Sequence, residues 1–162
     1  MPRLSTIELF KEDMKFSAGH FAIFSSEVRE NIHGHNYNVF ASFTTLIDDE
    51  GLSFDYRFYK DKVRKICDKL NEITLIPGKC KYIKIEENGD YTNIIFNKEK
   101  IIFLNRDILI LPVFNITVEE LSNWVLNEIL MDKRELESNK IQNIEIKVFS
   151  GPGQSGSAKW SK

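Results

Sequence analysis

Residues 36–47, NYNVFASFTTLI, constrain the fold more than any other stretch of the chain. Tyr37, Val39, Ala41, Phe43, Thr45 and Ile47 recur at period two, with Asn36, Asn38, Ser42 and Thr44 between them. Neighbouring side chains of a strand point to opposite faces, so this run demands a sheet with one buried face. The stretch before it, IELFKEDMKF at 7–16, alternates more loosely, and Asp48-Asp49-Glu50-Gly51 closes the main strand with a turn into a short extended piece at 52–56. Two or three antiparallel strands therefore open the chain.

From Phe58 the period lengthens. Val63, Ile66, Cys67 and Leu70 fall at i, i+3, i+4 and i+7, the spacing of one helix face, with Lys60, Lys62, Arg64 and Lys69 elsewhere on the wheel. A second helix is expected from Thr117, where Thr117-Val118-Glu119-Glu120 fits a capping box, through Met131. Between the helices, short apolar runs at 82–85, 92–96, 101–104 and 108–113 mark a strand-rich insertion over 77–113. Ile144, Ile146 and Val148 then alternate as a last strand, followed by a tight Gly/Ser-rich loop, GPGQSGSAKW. The order strands, helix, helix, strand predicts an α+β fold around one antiparallel sheet, a single domain over 1–162.

Twenty-two Lys and Arg against 24 Asp and Glu leave a net charge of −2, without the basic footprint that nucleic-acid binding requires. The apolar runs all fall short of the roughly 20 residues of a membrane helix. Two cysteines, Cys67 and Cys80, are too few for a disulfide framework. The expectation is a soluble cytoplasmic protein with neither a nucleic-acid nor a membrane partner.

All three histidines, His20, His33 and His35, lie within one short window. His33 and His35 are two apart at the entry to the period-two strand, so both rings leave the same face. A lone His-x-His also suits an exposed strand pair. His20, however, ends the preceding apolar segment, FSAGHF, and reaches the same point if the two segments are hairpin neighbours. Three neutral imidazoles converging on one point make a Zn²⁺ site with the fourth tetrahedral position open, the arrangement of a catalytic rather than a structural centre.

Phe16-Ser17-Ala18-Gly19-His20-Phe21, His33-Gly34-His35-Asn36-Tyr37, Phe54-Asp55 and Asn115-Ile116-Thr117-Val118-Glu119 follow in this order across nearly the whole chain. Together they resemble the 6-pyruvoyl-tetrahydropterin synthase and 6-carboxy-tetrahydropterin synthase family. The resemblance implies the tunnelling fold, a four-stranded antiparallel sheet with two helices on one face. It implies trimers stacked into a homohexamer with active sites between subunits, and makes 77–113 a longer connection than short members have. It also implies zinc held by His20, His33 and His35. The substrate would be a pterin, 7,8-dihydroneopterin triphosphate, whose side-chain hydroxyls approach the metal while a base takes a proton.

At the chemistry the chain departs from that pattern. The family's proton-abstracting Cys, a few residues before His-Gly-His, has no counterpart between Ser25 and His33. Glu27 sits at one of the Cys positions, and Glu30 falls where a variant subgroup carries a Glu and cleaves the side chain to 6-hydroxymethyl-7,8-dihydropterin. A solvated charged loop would also account for either glutamate. Cys67 lies on an apolar helix face and Cys80 in the insertion, neither placed to substitute. An Asp-His relay after the first helix is replaced by Asn71-Glu72, leaving Glu72 to do the work of the His. The pterin-anchoring Glu of the last strand is replaced by Ser150, which accepts a hydrogen bond without supplying charge. Thr117 matches a pterin-contacting position and also reads as a helix N-cap. The expectation is a zinc-dependent lyase of a pterin side chain with Glu30 as base. The alternatives are a 6-carboxy- or 6-pyruvoyl-tetrahydropterin synthase, or a zinc-binding oligomer with another ligand or no catalysis.

Overall fold

In the computed structural model, which describes residues 2–162, the period-two run becomes the spine of the main sheet. This strand, β3, spans His33–Ile47, and Tyr37, Val39, Ala41 and Phe43 along it are buried on one face. Two strands share one edge of it. β1, Arg3–Leu9, pairs antiparallel with its C-terminal half, and β2, Lys15–His20, with its N-terminal half. The loosely alternating 7–16 segment is thus two strands, broken by a turn in which Met14 N–H donates to Lys11 C=O at 3.0 Å. On the other edge lie β9, Ile141–Gly151, and then β10, Gln154–Ser161. The Gly/Ser-rich tail expected to be a loop is therefore mostly a strand, and only its first residues turn.

These strands form an antiparallel body, but the sheet does not stop at four. β4, Ile73–Pro77, adds parallel to β2, and β8, Ile108–Leu111, adds parallel to β4, so the sheet is seven-stranded and mixed. β4 escapes a periodicity search because it is five residues long and starts directly after a helix. The 52–56 piece enters no sheet.

Helices α1, Arg57–Leu70, and α2, Val118–Leu130, lie on the Tyr37 and Val39 face. Tyr59, Val63, Ile66 and Leu70 of α1 and Leu121, Val125 and Ile129 of α2 close the core against β3 and β9. Burial of each such side chain contributes roughly 1.5–3 kcal/mol. α2 runs so close to β10 that a Cβ on Gly156 would fall 2.4 Å from the Val118 carbonyl carbon. The capping box is only half made. Thr117 Oγ1 accepts the Glu120 N–H at 3.3 Å, but the Glu120 carboxylate accepts from Phe114 N–H at 2.9 Å instead of reaching back to Thr117. A further short helix, α3, Lys133–Ser138, follows because Asp132 caps a new turn by accepting the Glu135 N–H at 3.2 Å.

The strand-rich insertion is corrected at its ends, since its last apolar run supplies β8 to the main sheet. Its middle is a separate antiparallel meander of β5, Ile83–Asn88, β6, Tyr91–Phe96, and β7, Glu99–Leu104. The meander packs a second apolar cluster, Ile94 and Phe96 against Phe21, Ile23, Ile76 and Ile108. Phe21 and Ile23 belong to the segment that leaves β2, so the insertion rests on the connection between β2 and β3.

Candidate metal centre and its surroundings

The register of β2 on β3 brings the histidines together. His20 pairs directly with His33, and cross-strand partners point their side chains to the same face. His35, two residues along, shares that face. One ring nitrogen from each of the three lies within 4.8 Å of the others. The face is the helix-covered one, because His35 alternates in step with Tyr37 and Val39.

Two backbone carbonyls set the ring tautomers. His20 Nδ1 lies 2.9 Å from Ile116 C=O, and His33 Nδ1 lies 2.8 Å from Asn31 C=O. A carbonyl only accepts, so Nδ1 carries the proton in both rings and Nε2 is left as a lone pair. His33 Nε2 lies 3.0 Å from His35 Nε2, while His20 Nε2 is buried with no hydrogen-bond partner. Burial lowers the His20 pKa, opposed by the Ile116 carbonyl, and keeps the imidazole neutral. A buried, unpartnered nitrogen aimed at two neighbouring ring nitrogens is what a metal ion would satisfy, and the carbonyl bonds supply the outer support that ligating histidines need.

Around this centre the structure adds two residues that motif reading left without a role. Asn115 Oδ1 accepts from Ile23 N–H at 3.1 Å and its Nδ2 donates to Ile23 C=O at 2.8 Å, latching the segment after His20 to the start of α2. That latch carries the Ile116 carbonyl to His20. Tyr37 stacks on Phe16 at 4.8 Å and presents its ring edge-on to His35 at 5.5 Å, forming the floor of the centre. Burial, then the Glu30 charge, pushes its hydroxyl pKa up, so it stays protonated.

Glu30 lies at this centre. Its Oε2 is 3.9 Å from His33 Nε2 and accepts the Ala22 N–H at 2.9 Å. Glu27 is exposed in a tight turn whose N–H groups, at Glu27 and Val28, donate to Ser25 Oγ at 3.1 Å each. Glu72 follows α1 with φ of 57° and donates its N–H to Ser17 C=O at 2.6 Å. Its side chain lines a cavity of about 430 Å³ with Ser17, Asn36, Thr74 and Asp107. Ser17 and Asn36 alternate out of phase with the histidines, but His35 borders the same cavity, so Glu72 lies near the edge of the centre. Thr117 acts as the α2 N-cap. Ser150 shares the helix-covered face with Val148 by period two, and its Oγ accepts from Gln154 Nε2 at 2.9 Å.

Comparison with known proteins decides the family. The model of the 6-pyruvoyl tetrahydropterin synthase family matches residues 8–159. The chain belongs to that family. Family members are lyases. A Methanocaldococcus jannaschii relative, provisionally named a 6-carboxy-5,6,7,8-tetrahydropterin synthase, is 25% identical over 87% of this chain and 86% of its own length. The Plasmodium falciparum 6-pyruvoyl tetrahydropterin synthase structure superposes with a TM-score of 0.92, 29% identity and coverage of 98% of this chain and 99% of that one. The Plasmodium vivax synthase, solved with a glutamate described as a catalytic residue replaced by alanine, gives a TM-score of 0.93 at 25% identity, covering 99% of both chains.

Both cysteines lie away from the histidines. Cys67 is buried in the α1 core, and burial pushes its pKa up to about 12. Cys80 packs against the insertion cluster. No helix is long and apolar enough to cross a membrane among the described residues.

Proposed function

We propose that this chain is a zinc-dependent lyase that cleaves the side chain of 7,8-dihydroneopterin triphosphate or a close relative, releasing 6-hydroxymethyl-7,8-dihydropterin. The observation that carries this reading is the Glu30 carboxylate, pinned by the Ala22 N–H at 2.9 Å and 3.9 Å from His33 Nε2. His20, His33 and His35 would hold the zinc, and nitrogen-only donors in a set of three suit that ion. Bound there, zinc supplies Lewis-acid stabilisation of negative charge on a side-chain oxygen.

The chain's own groups do the rest. Glu30 takes the proton of a side-chain hydroxyl, that oxygen closes to the carbonyl of a departing aldehyde bearing the triphosphate, and the pair of the broken carbon–carbon bond passes to the carbon left on the ring. Glu30 returns its proton to that carbon. The Ala22 N–H leaves one Glu30 oxygen free for this exchange, and Tyr37, held protonated, walls the centre without competing as a base. The P. vivax relative, with its catalytic glutamate, supports a carboxylate in this role. Thr117 and Ser150 are the pterin contacts in this reading, and Glu27 is a loop charge available to the substrate's rim.

A second reading, formation of a 6-carboxy-tetrahydropterin from the same substrate, is favoured by the name of the M. jannaschii relative. Product analysis separates the two. Zinc-loaded protein is expected to bind about one zinc per chain and to yield the hydroxymethyl product. Glu30→Ala should lower turnover by roughly 100-fold or more with zinc retained, whereas His33→Ala should lose zinc. Failure of zinc-loaded protein to consume the triphosphate would overturn both readings.

A further inference from the structure

Arg29, beside Glu30, ties the connection between β2 and β3 to the insertion. Its side chain is only 17% exposed. Nε donates to Glu99 Oε2 at 2.8 Å, Nη2 pairs with the same oxygen at 2.5 Å, and Nη1 donates to the Glu30 backbone C=O at 2.8 Å. The guanidinium carbon lies 5.6 Å from the Phe21 ring centre and 5.9 Å from that of Phe96. Phe21 follows His20, while Phe96 and Glu99 flank the turn from β6 to β7. One planar cation is thus gripped by two rings and a carboxylate, and every nitrogen of its fork is used.

The other side of Glu30 is closed as well, since its N–H donates to Ala22 C=O at 2.8 Å. With N–H and C=O both held, only the side-chain torsions of Glu30 remain free, and the Ala22 N–H takes up one carboxylate oxygen. The Glu99 carboxylate is 56% exposed, so the ion pair by itself adds little stability. Its geometry is the larger effect: the meander, otherwise remote from the histidines, presses its position onto Glu30 through Arg29.

We propose that Arg29 is a positioning residue, anchored on the insertion by Glu99 and Phe96 and on the segment after β2 by Phe21, that fixes the Glu30 backbone so that the carboxylate stands beside the histidines. The proposal rests on the reading of Glu30 as the base. Arg29→Met and Glu99→Gln are made in zinc-loaded protein with Glu30 intact and with Glu30→Gln. Turnover of 7,8-dihydroneopterin triphosphate, zinc content and hydrogen exchange of the Ala22 amide are measured.

Arg29→Met should lower kcat about tenfold and Glu99→Gln about threefold, with KM within about twofold and zinc content unchanged. In the Glu30→Gln background neither should lower kcat by more than about twofold, because the effect passes through Glu30. Exchange of the Ala22 amide should speed up about tenfold in Arg29→Met, and Arg29→Lys, which keeps the charge and loses the fork, should not restore it. Equal kcat losses in both backgrounds would overturn the proposal in favour of a general packing role, as would an unchanged kcat. If Arg29→Met does not fold, the half-exposed Glu99→Gln carries the same comparison. If the intact protein leaves the pterin untouched, the base assignment fails, and the Ala22 exchange alone decides whether Arg29 positions the Glu30 segment; unchanged exchange overturns it.

Discussion

His20 shows how much a single residue depends on what lies far from it in the chain. Its ring is oriented by the carbonyl of Ile116, 96 residues away, which Asn115 holds in place. The thiols make the converse point. Cys67 is buried among α1 and its neighbours with its pKa pushed up to about 12, so it should resist thiol reagents at pH 8 while Cys80 reacts. A thiol titration of native protein should therefore count one reactive group per chain, none in Cys80→Ser, and both only after unfolding. Asp13 offers a pH test. Its carboxylate pairs with Arg64 of α1, and that guanidinium holds the Asp13 pKa below its ordinary value of 3.8. A carboxylate lowered in the fold contributes stability that is present above its unfolded pKa and lost as pH falls through the folded one. Asp13→Asn should accordingly be slightly less stable than wild type at neutral pH and lose less stability below about pH 4, so that the two converge in acid, measured by urea unfolding.

Among elements, those with a strong period were legible. The β3 run and the apolar face of α1 were readable because a face that must be buried imposes 2.0 or 3.6 on the residues themselves. β4 and α3 are not, and β8 is legible as an apolar run but not as part of the main sheet, since four to six residues carry no usable period and their places depend on edges supplied by other strands. The Gly/Ser-rich tail that forms β10 follows the same logic. Its glycines signal a turn, yet Gly156 is required because α2 passes over β10 with its backbone, where any Cβ would meet Val118 at 2.4 Å. Gly156→Ala should cost about 1–3 kcal/mol by forcing the two apart, seen as a lowered urea midpoint. Because Thr117 and Ile116 sit at that helix start, the same variant should weaken retention of the proposed zinc. Unchanged stability would mean that α2 is free to shift.

For the whole molecule, the sheet face opposite the helices is informative. Phe40 and Phe149 lie there, joined by Phe10, whose ring is 6.0 Å and 5.5 Å from theirs and 58% exposed. An aromatic cluster on an uncovered face fits association with further copies, as the homohexamer that the family resemblance implies would require. Glu72 borders a cavity that His35 also lines, and with active sites between subunits, as the family resemblance implies, complementation asks which chain's centre it serves. Glu30→Ala and Glu72→Ala are each expected to be poorly active, and co-assembly of the two should recover about a quarter of the wild-type rate, as random mixing of a site shared by two chains requires. No recovery would place both groups in one chain's site or remove Glu72 from the chemistry.

The sequence by itself determined the α+β pattern, the three histidines as one candidate centre, and Glu30 as the carboxylate nearest their motif, because period and spacing are local properties. Only the tertiary structure decided the parallel extension of the sheet, the carbonyls that orient His20 and His33, the cavity that Glu72 shares with Ser17 and Asn36, and the grip of the insertion on Arg29. Each of those joins residues tens of positions apart, and such contacts form only when closing the chain on itself buries enough apolar surface to offset the entropy lost.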